Sequence, residues 1–103
     1  MSWAIHHAQS EELASQAEAA LRQGDRNGAL DLYRLSAKEE ERALDALDPS
    51  KTRTLGITVV SVASLWFKAH EWKQVECVAC RWIAADLLPD FAIAQLEEII
   101  QTT

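Results

Sequence analysis

The chain has 103 residues, enough for one domain, with 10 Lys and Arg against 16 Asp and Glu and a formal net charge of −6. This acidic balance excludes sequence-independent binding to nucleic acid and an electrostatic anchor on anionic lipid, since both depend on clustered Lys and Arg. A composition with 49% hydrophobic residues but only 3 Gly and 2 Pro disfavours an all-β fold. It indicates one domain of a few long helices over residues 1–103.

The N-terminal segment, 1–9, has neither the basic region nor the apolar region of a secretory signal. The longest uncharged run, Thr54 to Phe67, has 14 residues, fewer than the roughly 20 that span a bilayer. We therefore predict a cytoplasmic protein without a membrane partner.

Residues 10–47 are predicted to form a first helix pair. Ser10 is a candidate N-cap, Gly24 can end the first helix in the left-handed conformation, and the second helix runs from Arg26 to Leu47. The run Lys38-Glu39-Glu40-Glu41-Arg42 is typical of a solvated helix face.

Residues 48–86 are predicted to form a second pair. The β-branched stretch Ile57–Val62 also fits a strand, but the apolar run continues to Ala69 and no other segment could pair with it. Asp48-Pro49 fits the start of a helix, with Asp48 as N-cap and Pro49 in the first turn. A fourth helix over 71–86 follows, and a capping helix over 90–101 begins at Asp90 as its N-cap.

The two pairs share a pattern around their turns. In the first pair Gly24-Asp25 is followed by Ala29 and Tyr33, and in the second His70-Glu71 replaces the Gly-Asp turn. Together with Ala63, Trp66, Ala69 and Trp72, this resembles the tetratricopeptide repeat (TPR). The turns are 46 residues apart rather than the usual 34, so the resemblance is to a TPR-like fold with longer helices. It implies antiparallel helical hairpins and a protein-binding role.

The resemblance also implies a concave face lined by the first helix of each pair. It places there Glu11, Ala14, Glu18, Leu21 and Arg22, and in the second pair Ile57, Val60, Ser64, Phe67 and Lys68. No basic clamp for a carboxylate end is present. The apolar residues of the second set are either core, covered by Trp3-Ala4-Ile5 or by the last helix, or a groove for an amphipathic helix or a second copy.

Other candidate residues carry weaker patterns. His6 and His7 are adjacent, which does not favour shared metal ligation on a helix, and His70 fits a turn residue or cap. Cys77 and Cys80 form a C-x-x-C within a helix, without the further ligands that zinc needs, and are expected to be buried or half-buried. Residues 82–103 contain four acids and no Lys or Arg, so the last helix is a solubilising cap or an acidic face for a basic partner.

We therefore predict an all-α, TPR-like protein-interaction module, an adaptor or regulatory subunit without cofactor, metal or enzymatic activity. Its predicted partner is a protein or peptide. An amphipathic helix and a second copy of the chain are the two forms that this partner could take. Trp3 and Trp72 are the predicted aromatic anchors beside the second set. The alternative is a small helical enzyme or ligand-binding bundle that uses His70, Cys77 or Cys80.

Overall fold

In the computed structural model, which describes residues 2–103, the chain forms five α-helices and no strand. They are α1 (Trp3–Arg22), α2 (Arg26–Ala46), α3 (Thr52–Lys68), α4 (Trp72–Ala85) and α5 (Asp90–Thr102). The all-α prediction is confirmed, and α3 is central, packing against α2, α4 and α5. The shortest molecular dimension, 18 Å, corresponds to about two layers of helices.

Helix α1 begins eight residues earlier than predicted. Ser2 is its N-cap and accepts a hydrogen bond from the Ile5 amide, so residues predicted as a separate N-terminal segment are helical. Ser10, the predicted cap, lies in mid-helix and is 2% exposed. Its hydroxyl donates to the carbonyl oxygen of Ser36 at 3.0 Å, and the Ser36 hydroxyl donates to the carbonyl oxygen of Ser10 at 2.7 Å.

Small residues at seven-residue spacing allow α1 and α2 to pack closely. Ser10 and Ala17 on α1 face the buried α2 set Ala29, Ser36 and Ala43. A seven-residue repeat keeps one stripe of a helix facing its antiparallel partner.

The turns after α1 and α3 have the same backbone conformation and hydrogen-bond pattern. Gly24 has φ +81° and His70 has φ +59°, both in the left-handed region. In each turn the next residue donates its amide back into the preceding helix, from Asp25 to Ala20 and from Glu71 to Trp66. This is the Schellman pattern that ends a helix. The predicted correspondence of the two turn pairs is therefore present in their geometry.

Two predicted caps are corrected by local hydrogen bonds. Asp48 accepts from the Ser50 amide at 3.0 Å, and this bond holds its pKa below the usual range. The Lys51 amide donates to the Asp48 carbonyl oxygen, so Asp48 and Pro49 form a turn and α3 begins at Thr52. At α5, Pro89 is the N-cap and Asp90 is the first helical residue.

Helix α3 carries the centre of the core. Leu55, Val59, Val62 and Trp66 are buried along one side, and Gly56 lies against α5. A Cβ at Gly56 would stand 2.9 Å from Pro89 and 3.1 Å from the Cβ of Ala92. The absence of a side chain at this position brings α3 and α5 together.

Candidate binding surfaces

The predicted binding residues of α3 lie together on its one unburied side. Ile57 is 45% exposed, Lys68 is exposed, and the remaining three are half-buried: Val60, Ser64 and Phe67. Their spacing of three, four, three and one places them on one face of a helix. The opposite side of α3 is the core, so this face is a surface of the folded chain.

Helix α5 forms one wall of a shallow groove along this face. The groove has a volume of about 410 Å³ and opens to solvent. Val60 and Ser64 line it from α3, and α5 contributes Gln95, Glu98, Ile99 and Thr102. Trp3, Ala4 and Ile5 do not cover the face as one prediction had it, because Ala4 and Ile5 are exposed on α1. We use the name α3–α5 groove for this groove together with Ile57 and Phe67, which adjoin it on the same face of α3.

An aromatic cluster stands at the end of the groove. The ring of Phe67 meets Trp72 edge-on with centroids 5.3 Å apart, and His70 stacks on Trp72 at 5.2 Å. Trp72 is 45% exposed. The structure thus brings the predicted anchor Trp72 together with Phe67 of the predicted binding face, and it gives the turn residue His70 a packing role.

Trp3, the other predicted anchor, is held within the fold. Its indole Nε1 donates to the Thr58 hydroxyl at 3.0 Å and so connects α1 to α3. Its ring stacks on His7 with centroids 4.6 Å apart and an interplanar angle of 11°. The half-buried Trp3 therefore joins two helices and leaves little of its ring for a partner.

A network of histidines and glutamates between α1 and α2 was missed by the sequence analysis. His6 Nδ1 lies 2.9 Å from Glu39, which also pairs with Arg42. His7 Nδ1 lies 3.0 Å from both carboxylate oxygens of Glu40, which is 1% exposed, and His7 Nε2 lies 2.5 Å from Glu11. The adjacent histidines therefore bind different carboxylates.

The charge run of α2 is not the solvated face that was predicted. Glu39 and Glu40 are paired with histidines of α1, and the half-buried Glu41 accepts a 2.6 Å hydrogen bond from the indole Nε1 of Trp66 on α3. The hydrogen bond from His6 is the main cause that lowers the pKa of Glu39, with Arg42 acting in the same direction. The Glu run thus connects α2 to both neighbouring helices.

The residues of the alternative enzyme prediction lie at separate places. Cys77 and Cys80 are free thiols and both are exposed, which corrects the expectation that they are buried or half-buried. Cys77 lines a cleft of about 200 Å³ between α2, α3 and α4, together with Glu41, Asp45 and Arg81. His70 lines a different cleft, of about 90 Å³, between α1, α2 and α3.

Residues 2–103 contain no group of three or more His, Cys, Asp or Glu side chains arranged to hold a metal ion. Within the same range, every helix is too short or too polar to cross a bilayer. No family model, curated protein or solved structure matches the chain. The function must therefore be argued from the surfaces themselves.

Proposed function

We propose that this protein is a protein-interaction module, an adaptor or regulatory subunit, that binds an amphipathic helix of a partner in the α3–α5 groove. The observation that carries the proposal is Ile57, 45% exposed on the same face as the half-buried Val60 and Phe67. A protein that leaves large apolar side chains together at its surface commonly uses them for binding. The face from Ile57 to Lys68 is about 16 Å long, which suits about three turns of a bound helix.

The charge around the groove suggests a basic partner. Glu98 lies in the groove wall, and residues 82–103 contain four acids and no Lys or Arg. A Lys or Arg on the polar side of a bound helix would meet this acidic wall. Complementary charge of this kind mainly accelerates association and selects the partner.

The proposal includes a TPR-like origin for the two helix pairs and a cytoplasmic location. Supporting the first are the matching turns at Gly24-Asp25 and His70-Glu71. Supporting the second are the two exposed free thiols, which suit a reducing compartment. The enzyme alternative is not proposed, because no observation in residues 2–103 favours a reaction at His70, Cys77 or Cys80.

A designed peptide tests the groove directly. The probe is a Leu/Lys amphipathic helix with Leu at i, i+3 and i+7, titrated into isotope-labelled protein and followed by amide chemical shifts. We expect shifts confined to α3 and α5, abolished by Ile57→Glu and by Phe67→Glu, and weakened by Glu98→Lys. Leu35→Glu, at a position 49% exposed on α2, is the matched control and should bind normally.

Two results would contradict the proposal. One is a set of chemical shift changes that includes the surroundings of the exposed Leu35 on α2, or that survives Ile57→Glu. The other is a doubled mass in light scattering that Ile57→Glu returns to the monomer, since the occupant of the groove is then a second copy of the chain.

A further inference from the structure

The cleft between α1, α2 and α3 gathers positive charge on an acidic protein. Arg26 is the first residue of α2, Lys68 the last of α3, and His70 lies in the turn that follows; all three line the cleft. Within residues 2–103 none of them forms an ion pair, whereas Arg34 and Arg42 are each paired with a carboxylate. The two unpaired cations, Arg26 and Lys68, line one concavity and so create a local site for an anion.

The nearly buried Tyr33 also lines this cleft. Tyr33 is 4% exposed and lines the cleft floor beside Ala29 and Leu30. No hydrogen bond to its hydroxyl exists within residues 2–103, and every fully enclosed side-chain polar atom there has a partner. The Tyr33 hydroxyl is therefore not fully enclosed, and it has a free donor to offer a ligand.

The surroundings of Tyr33 keep it a donor. Burial first, and the Glu18 carboxylate second, raise the pKa of Tyr33 above its usual value of 10.0, so the hydroxyl retains its proton at neutral pH. The Lys68 ammonium lies over the Tyr33 ring, 5.9 Å from its centroid. Glu18 opposes an anion, but it is exposed to solvent, where its field is screened.

We propose that this cleft binds one phosphate-type oxyanion, with Arg26 and Lys68 neutralising its charge and the Tyr33 hydroxyl donating a hydrogen bond. A guanidinium, an ammonium and a hydroxyl provide several donors for the oxygens of a tetrahedral anion, and hydrogen bonds to charged groups are the strong ones. The cleft has a volume of about 90 Å³, which suits a single tetrahedral anion and is far smaller than the pocket of a drug-sized ligand. No residue that lines this cleft also lines the cavity between α3 and α5, although Lys68 is the last residue of the α3 face and His70 belongs to the aromatic cluster beside it. The proposed anion site stands without the proposed function.

The test measures binding of inorganic phosphate at constant ionic strength, with chloride as the balancing ion. We expect a saturable rise in Tm and amide shifts at Arg26, Lys68 and His70. Arg26→Gln and Lys68→Gln should each weaken binding about tenfold, as expected for loss of a charge-assisted bond, and Tyr33→Phe about threefold. Arg53→Gln, at an exposed cation outside the cleft, is the matched control and should bind phosphate normally.

Methyl phosphate in a second arm distinguishes the source of the headgroup. Tighter binding of the ester, through contact with Leu21 and Leu30, indicates the phosphate of a larger molecule; tighter binding of inorganic phosphate indicates the free ion. The proposal is overturned if phosphate gives no saturable response beyond that of chloride. It is equally overturned if the Arg26→Gln, Lys68→Gln double variant, shown by circular dichroism to be folded, responds like the parent protein.

Discussion

Glu40 is the side chain whose burial most constrains the chemistry of this protein. It is 1% exposed, and its carboxylate oxygens have a single side-chain partner within residues 2–103, the Nδ1 of His7. Leaving a buried carboxylate without its donor costs more than the pair itself contributes, because the charge cannot return to water. The contact between α1 and α2 therefore depends on His7.

We expect His7→Ala to lower the free energy of unfolding by about 2–3 kcal/mol, measured by urea denaturation at pH 7. Most of the loss comes from the unpaired Glu40 carboxylate, and a smaller part comes from the lost stacking of Trp3 on His7. The double variant His7→Leu, Glu40→Met should recover most of it, since no buried charge remains.

The matched control for His7 is Glu11→Ala. Glu11 also pairs with His7, but its side chain is 69% exposed, and exposed pairs contribute less than about 1 kcal/mol. Equal effects of His7→Ala and Glu11→Ala would show that burial of Glu40 does not decide the cost.

Glu39 makes stability depend on pH at the acidic end. Its folded-state pKa lies below the ordinary value of 4.5, chiefly because His6 donates a hydrogen bond to it. A depressed pKa stabilises the fold above the unfolded-state pKa, and this stabilisation is lost as pH falls through the folded-state pKa. We expect His6→Ala to reduce the loss of stability below pH 4.5, measured by urea denaturation across the acidic range. His70→Ala removes a histidine that has no carboxylate partner among residues 2–103, and it should leave the dependence of stability on pH in the acidic range unchanged.

At the scale of the helices, close approach at Gly56 decides how α5 docks on α3. Gly→Ala in a helix interior ordinarily stabilises by about 1 kcal/mol. At Gly56 the new Cβ would collide with Pro89 and Ala92, and overpacking of this kind costs about 1–3 kcal/mol. We expect Gly56→Ala to destabilise the protein by about 1 kcal/mol net. Amide hydrogen exchange should become faster in the variant, and the increase should be larger for the amides of α5 than for those of α1. A stabilising Gly56→Ala would contradict this packing.

The sequence analysis predicted the helices well where a local signal exists. Gly24 ends α1 as predicted, and α2 and α4 lie within one residue of their predicted bounds. It failed at α1, because Ser10 followed by Glu11 looks like a cap while the true cap, Ser2, precedes an apolar Trp. The prediction of the α3 start was wrong, because the Asp48 carboxylate accepts from the Ser50 amide within a turn and therefore does not cap a helix.

The functional residues show the same division. The shared face of Ile57, Val60 and Phe67 follows from helical spacing alone, so it could be predicted. The pairs His6–Glu39 and His7–Glu40 join residues 33 positions apart, and the cleft with Arg26 and Lys68 joins three helices. Periodicity describes one helix at a time. It cannot show which charges meet across an interface.

At the scale of the whole molecule, α3 couples the two halves of the chain. It packs on α2 on one side and on α4 and α5 on the other, and the indoles of Trp3 and Trp66 make hydrogen bonds between α3 and its N-terminal neighbours. Arg34 on α2 also binds Glu71, which precedes α4, at 2.6 Å. A chain joined in this way should unfold as one cooperative unit.

Val59 tests that coupling, because it is fully buried at the centre of α3. Val59→Ala should lower the free energy of unfolding by about 2 kcal/mol, from lost burial and the cavity that remains. Because α3 contacts both halves, unfolding followed by tryptophan fluorescence and by far-ultraviolet circular dichroism should shift together, with an unchanged dependence on urea. Ile57→Ala, on the exposed face of the same helix, is the matched control and should cost less than about 1 kcal/mol. Separate transitions for the two probes in Val59→Ala would instead show that the α1–α2 hairpin folds independently of the remainder.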